Sequence, residues 1–311
     1  MKSRKQQGGI LMSNDYLIIR KMEITEASMD SSPVTIGFPA VSAILGFVHA
    51  LQRKLQARDK GLKFTGAGIS CHSFNPFIYR TKHDLKPSMT RNPPYKKKYL
   101  SKGAPFIEEG KADMNISLVI ELQCGSFVPE ELSSHIKSLL PHLRFSGGTI
   151  WQPEKITFVS VAWDDDAGQK KVLHQLMPGF VLLERRDLVE ETMKNNGVDA
   201  LDAILDHLEV CQHTAKGEDP EKDEIYWARK SGTPGWLVPV SVGYRAITPF
   251  EKIENQRDPN CEHAFAENVL TLGEFVMPIR LDSINDIIWR PSVSEETGLY
   301  VYTQKHQTKG D

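Results

Sequence analysis

Cysteine is scarce in this sequence. The 311 residues hold four, Cys71, Cys124, Cys211 and Cys261, and no two of them form a CxxC pair. That spacing argues against a zinc site and against a disulfide framework, and it suits a protein of the reducing cytoplasm. No run of about 18 apolar residues occurs, so no membrane span is expected. A charge of one sign is missing too: 38 Lys and Arg against 40 Asp and Glu leave a formal net charge of −2. Overall charge therefore does not announce a nucleic-acid binder. HExxH, P-loop and nucleophile-elbow patterns are absent, and Gly66-Ala67-Gly68 lacks the third glycine of a dinucleotide fingerprint. No metal and no cofactor is expected.

What remains is an ordinary globular composition, 40% apolar and 25% charged, with its information in the patterning. Ser31-Ser32-Pro33-Val34-Thr35-Ile36-Gly37-Phe38-Pro39-Ala40 is a turn-rich stretch that opens onto a helix expected over about 40–58. Val41, Ile44, Leu45, Val48, Leu51 and Leu55 follow the i, i+3, i+4, i+7 rule and mark its buried face. A second stripe, Ser42, Gly46, His49 or Ala50, and Arg53, is small near the helix start and basic further along. It would let a phosphate backbone come close. A close helix-to-helix or helix-to-sheet contact explains the same stripe.

Around this helix the spacing predicts a strand over 15–24, with Tyr16, Ile18 and Met22 on one face and Leu17 and Ile19 on the other. A second strand is expected over 62–74, where Gly66 and Gly68 suggest a bulge or a close backbone approach. Met114, Ile116, Leu118, Ile120 and Leu122 alternate as a third strand, a helix follows Pro129, and a fourth strand covers about 156–163. Two βαβ halves make a ferredoxin-like, RRM-type core in an α+β protein. Between the second and third strands lies a proline-rich excursion, about 75–110. It holds the only dense basic region, Arg80 to Lys102, which permits nucleic-acid contact and is otherwise a solvated loop. In the second half Asp199 to Cys211 reads as a helix with Leu201, Ile204, Leu205 and Leu208 on one face. Residues 216–224 read as an acidic loop and the chain from Gln304 onward as a frayed tail.

Several blocks occur in order over about 15–280: Ser31-Ser32-Pro33, Gly46-Phe47-Val48-His49-Ala50-Leu51-Gln52-Arg53, Thr90-Arg91-Asn92-Pro93, Glu108-Glu109-Gly110-Lys111-Ala112, Ser146-Gly147-Gly148-Thr149-Ile150, Met177-Pro178-Gly179-Phe180, Pro234-Gly235-Trp236-Leu237-Val238-Pro239, Gly243-Tyr244-Arg245-Ala246 and Glu267-Asn268-Val269-Leu270-Thr271-Leu272-Gly273-Glu274. Together they resemble the family of second Csy subunits of type I-F CRISPR systems, a Cas-five-like branch of the RAMP superfamily. The resemblance implies an RRM-like palm over 13–165 with a basic β-hairpin thumb inserted at about 75–110. It also implies an α/β C-terminal half over 166–303 packed on the palm, leaving 1–12 as a disordered extension and 304–311 as the tail. It implies a cytoplasmic, non-catalytic subunit that holds the 5′ handle of a guide RNA and pairs with the large Csy subunit. Such a subunit contacts the adjacent backbone Csy subunit and meets target double-stranded DNA through the complex.

RNA recognition needs phosphate contacts and stacking platforms rather than a catalytic constellation. Ser31, Ser32 and Ser42 at the helix start offer donors to phosphate, Phe38 a stacking face, and His49 and Arg53 the basic end of the stripe. Gly147 and Gly148 let a backbone approach, or simply form a tight turn before a strand. Thr90, Arg91 and Asn92, with Lys96, Lys97 and Lys98, form the thumb set, and Arg20, Arg144 and Arg245 are further cations for phosphate. Two other classes stay open on the residues alone. One is a metal-independent endoribonuclease with His49 as base. The other is a structural adaptor whose contacts run through Trp236 to Val240 and Val269 to Phe275.

Overall fold

A strand buried on both faces must find cover for each, and β1 (Ser13–Ser28) does so by changing its pleat midway. Leu17, Ile19, Met22 and Ile24 enter one core, whereas Tyr16 and Ile18 enter another. Met22 therefore does not share a face with Tyr16 and Ile18 as simple alternation predicts. A bulge at Arg20-Lys21, with Lys21 at φ +48°, inserts the extra residue that flips it. The computed structural model describes residues 13–57, 60–80, 85–87, 89–92, 107–123, 128–162, 164–215, 224–256 and 258–304.

After β1 come a small hairpin, β2 (Asp30–Ser32) and β3 (Thr35–Ile36), and then α1 (Val41–Leu55). The long β4 (Lys63–Pro76) is followed by the short strands β5 (Ile78–Arg80), β6 (Leu85–Pro87) and β7 (Met89–Asn92), then by β8 (Ile107–Gln123) and α2 (Pro129–Leu139). β9 (Arg144–Phe145), β10 (Gly148–Ile150) and β11 (Lys155–Ala162) complete the first half. β11, β1, β8 and β4 lie side by side in that order, all antiparallel. α1 and α2 cover one face: all six apolar positions read from the spacing of α1 are buried there, with Ile136 and Leu140 from α2 and the turn after it.

The second half runs through α3 (Asp166–Gln175), β12 (Phe180–Glu184), α4 (Arg186–Asn196), α5 (Ala200–Leu208), the hairpin β13 (Val210–Ala215) and β14 (Glu224–Arg229), β15 (Leu237–Ala246) and β16 (Ala266–Val276). A 3-10 turn at Ile284–Ile287 leads into β17 (Ile288–Ser294) and β18 (Leu299–Gln304). This half is not merely packed on the first. β4 pairs with β17 and β12, and β12, β16, β15, β18 and β17 pair in succession, so six strands close into a ring with β4 as the shared member. Closure leaves the ring no free edge. α3 and the 3-10 turn then cover the second face of β1 and β8 through Val172, Leu173, Leu176, Ile284 and Ile287.

Three further expectations change. α5 buries Ala203, Ile204 and His207 while Leu201 and Leu205 are each 52% exposed, because the helix rests on β16 near Leu272 by its opposite side. Gln304 is not frayed: it is buried in β18, its N–H donates to Glu184 at 2.9 Å and its amide to the carbonyls of Leu182 and Ile287. The extension 1–12 and residues 305–311 lie outside the described residues.

The glycines of β4 explain how β17 reaches it. A Cβ at Gly66 would stand 2.6 Å from the Trp289 carbonyl oxygen, and one at Gly68 2.8 Å from Ile287. Arg290 of β17 then forks onto Glu121 of β8, Nε to Oε2 at 3.0 Å and Nη2 to Oε1 at 2.8 Å, across the same seam. Gly66→Ala is expected to cost about 1–3 kcal/mol, as overpacking does. Gly46→Ala, on an exposed helix turn where nothing lies within 4 Å of a Cβ, should gain about 0.5–1 kcal/mol. Urea unfolding midpoints of the two variants check this, and a wild-type midpoint for Gly66→Ala would contradict the seam.

Candidate nucleic-acid interface

The segment between β1 and α1 is held at three points by groups from distant parts of the chain, two backbone carbonyls and one side-chain amide. Ser28 N–H donates to the Ser146 carbonyl at 2.8 Å, and Met29 N–H to the Gly110 carbonyl at 2.8 Å. Asn268 of β16 donates to the Ser31 carbonyl at 3.4 Å. The glycine turn 146–148, the base of the inserted strands and β16 thus converge on the entrance of α1. Gly110 is small for a reason, since its Cβ would lie 3.2 Å from that of Met29. β7 pairs with β8 at this level, with Met89 opposite Gly110, Thr90 opposite Glu109, Arg91 opposite Glu108 and Asn92 opposite Ile107. Lys96, Lys97 and Lys98 lie outside the described residues.

Within that frame the sequence candidates separate. Ser31 is buried and its hydroxyl meets the Thr35 hydroxyl at 2.7 Å, as does that of Ser32, which also accepts the Val34 N–H. Both serines therefore close their own hairpin rather than wait for a phosphate. Phe38 is 6% exposed and packs on Phe74 and Phe275, so its ring belongs to the core and cannot serve as a stacking platform. Gly148 is a close strand approach, its Cβ position 2.8 Å from the Thr25 carbonyl, and Gly147 takes φ +80° in the exposed turn. Arg144 spends one guanidinium nitrogen on Thr149, and Arg245 is exposed on β15 opposite Glu267.

α1 retains the features that suit an anion. No side chain caps its start and no carboxylate sits in its first turn, while Arg53 and Lys54 occupy its last. Ser42 is buried with its hydroxyl unpartnered among the described residues. Gly46, His49 and Arg53 are exposed, and nothing packs where a Gly46 side chain would be. Close packing therefore accounts for Ser42 but not for the Gly46, His49 and Arg53 part of the stripe within this chain. Beside it, between α1 and β18, lies a cavity of about 80 Å³ bordered by His49, Gln52, Tyr300 and Tyr302. Sequence reasoning passed over these tyrosines, although the i, i+2 spacing of Tyr300 and Tyr302 places them on one strand face.

Arg20 belongs to a separate network on the far side of the sheet. It pairs with Glu154 at 3.7 Å, as Lys21 does at 3.1 Å. The Lys21 N–H donates to Ser117 Oγ at 2.9 Å, and that hydroxyl meets His72 Nε2 at 2.6 Å while Nδ1 faces the Pro178 carbonyl. A carbonyl only accepts, so Nδ1 carries a proton. Desolvation, helped by Lys21 and Arg20, holds the His72 pKa below the ordinary 6.5. The folded state then binds fewer protons than the unfolded chain as pH falls below 6.5, so stability falls with it. His72→Gln should show a shallower loss of thermal stability between neutral pH and pH 5 than wild type, and identical pH profiles would contradict this role.

Among the described residues no group of three or more His, Cys, Asp or Glu could hold a metal ion, and no helix is long and apolar enough to cross a membrane. A family model described as CRISPR-associated protein (Cas_Csy2) matches residues 17–302. The CRISPR-associated protein Csy2 of Pseudomonas aeruginosa (strain UCBPP-PA14) is 29% identical over 310 residues, covering 91% of this chain and 93% of that protein. With the match running from β1 to β18, this chain belongs to the CRISPR-associated Csy2 family.

Proposed function

We propose that this chain is a non-catalytic subunit of a type I-F CRISPR surveillance complex that grips the 5′ handle of the guide RNA. In that complex it pairs with the large Csy subunit, touches the adjacent backbone Csy subunit and meets target double-stranded DNA only through the assembly. The observation that carries the reading is the exposed Gly46–His49–Arg53 stripe of α1, on a helix without a carboxylate and with nothing packed on Gly46.

The strand order β11-β1-β8-β4 with α1 and α2 on one face supports a ferredoxin-like palm, and the β7–β8 pairing supports a thumb growing from it. An RRM stacks bases on its open sheet face. Here α3 and the Ile284–Ile287 turn occupy that face, so the RNA path runs along the helix side instead. The mechanism is positional. Arg91 and Lys96 to Lys98 neutralise phosphates from the thumb, Arg53 on the exposed face of α1 neutralises one more, and the handle is fixed in register. His49, exposed and without a hydrogen-bond partner among the described residues, has no group to orient it as a base.

Guide-RNA affinity measured across a salt series tests this. Replacing Arg91, Lys96, Lys97 and Lys98 by Ala should weaken binding and flatten the plot of log K against log salt by about 0.7 for each phosphate no longer neutralised. Gly46→Gln should also weaken binding while leaving the unfolding midpoint near wild type. Unchanged affinity and slope in both variants would sink the assignment.

A further inference from the structure

Two tyrosines beside α1 are left to solvent where a sheet would ordinarily bury them. Tyr244 of β15 stands directly opposite Tyr300 of β18, and they are 43% and 39% exposed. Tyr300 is not loose. Its ring meets Tyr302 edge-on at 5.4 Å and their hydroxyls share a hydrogen bond of 2.7 Å, while Tyr302 is buried. A ring fixed in this way can accept a flat partner with little further loss of side-chain freedom.

The surroundings select the partner. The adjoining cavity of about 80 Å³ is far below the roughly 300 Å³ at which a site encloses a small molecule. It can take the edge of a flat group lying across its mouth, not a whole ligand. Gln52 is anchored by its Oε1, which accepts the Phe64 N–H at 2.7 Å. Its Nε2 and the His49 imidazole have no partner among the described residues, so a donor amide and a ring nitrogen border the cavity. Along the same helix Val41–Leu55 contains no carboxylate, and Arg53 and Lys54 are exposed. A flat aromatic group with polar edges and an attached anion matches all three features, and an apolar peptide matches only the first.

We propose that this groove holds one unpaired nucleotide of single-stranded RNA. Its base stacks on Tyr300 with Tyr244 beside it, its edge is read by Gln52 and His49, and its phosphate rests on Arg53. The inference rests on the guide-RNA reading above and adds a base-stacking site that α1 alone does not supply. Base–aromatic stacking strengthens binding by roughly 5- to 150-fold per base. The full chain is therefore titrated with guide RNA carrying 4-thiouridine in its handle, and crosslinked peptides are mapped.

Tyr244→Leu with Tyr300→Leu should weaken binding by about tenfold, whereas Phe at both positions should bind close to wild type. Crosslinks should fall on the peptides that contain His49 or Tyr300. Leucine variants that bind like wild type, with crosslinks elsewhere, overturn the groove and leave the guide-RNA reading standing. A wild-type chain that binds no guide overturns that reading itself. Leucine variants that keep the RNA but lose a protein subunit from the assembled complex make the groove a protein-docking site, which also overturns the proposal.

Discussion

β4 is hydrogen-bonded on both edges, and the rest of the structure depends on that one seam. One edge runs along β8, and the other is shared by β17 near Gly66 and Gly68 and by β12 near Ser70 and Cys71. Strands from opposite ends of the chain can approach so closely only because the two glycines present no Cβ. The Glu121–Arg290 fork then ties β8 to β17 on the same side, with the Thr65 hydroxyl donating to the same carboxylate at 2.5 Å. Both partners of this pair are largely shielded from water. Losing one would strand the other, a penalty of about 3–5 kcal/mol against at most about 1 kcal/mol for an exposed pair.

The seam also decides which surfaces are free. By closing a ring on β4, the C-terminal half brings α3 and the Ile284–Ile287 turn over the sheet face away from α1. That face is apolar at its centre and turns polar towards its ends, around Ser117, His72 and Lys21 at one and around the Glu121–Arg290 fork at the other. The helix side is left with the reverse arrangement: an apolar stripe of α1 sunk in the core and a small, basic stripe in solvent. A net charge of −2 is therefore compatible with a local anion surface, because the carboxylates are absent from α1 rather than balanced on it.

Elements set by local periodicity were legible. Each apolar position read from α1 is buried, and the close approach read from Gly66 and Gly68 is the crossing of β17. What depends on distant partners was not. Met22 changes face because of a bulge whose Lys21 N–H is satisfied by Ser117, 96 positions away. Leu201 and Leu205 carry a helical pattern, yet Ala203, Ile204 and His207 dock on the sheet. Phe38 illustrates the limit at the site, since a ring before a helix reads equally as a platform or as core until Phe74 and Phe275 are seen around it. The tyrosine pair emerges only when β15 and β18 are brought into register.

The most direct measurement is co-expression with the large Csy subunit and a guide RNA, followed by size exclusion and denaturing analysis of the RNA in the protein peak. The account predicts full-length guide eluting with both proteins, unchanged in length by His49→Ala. A heterodimer that retains no RNA even when backbone subunits are added would contradict it. So would guide cut at a fixed position in wild type and left intact by the His49→Ala variant.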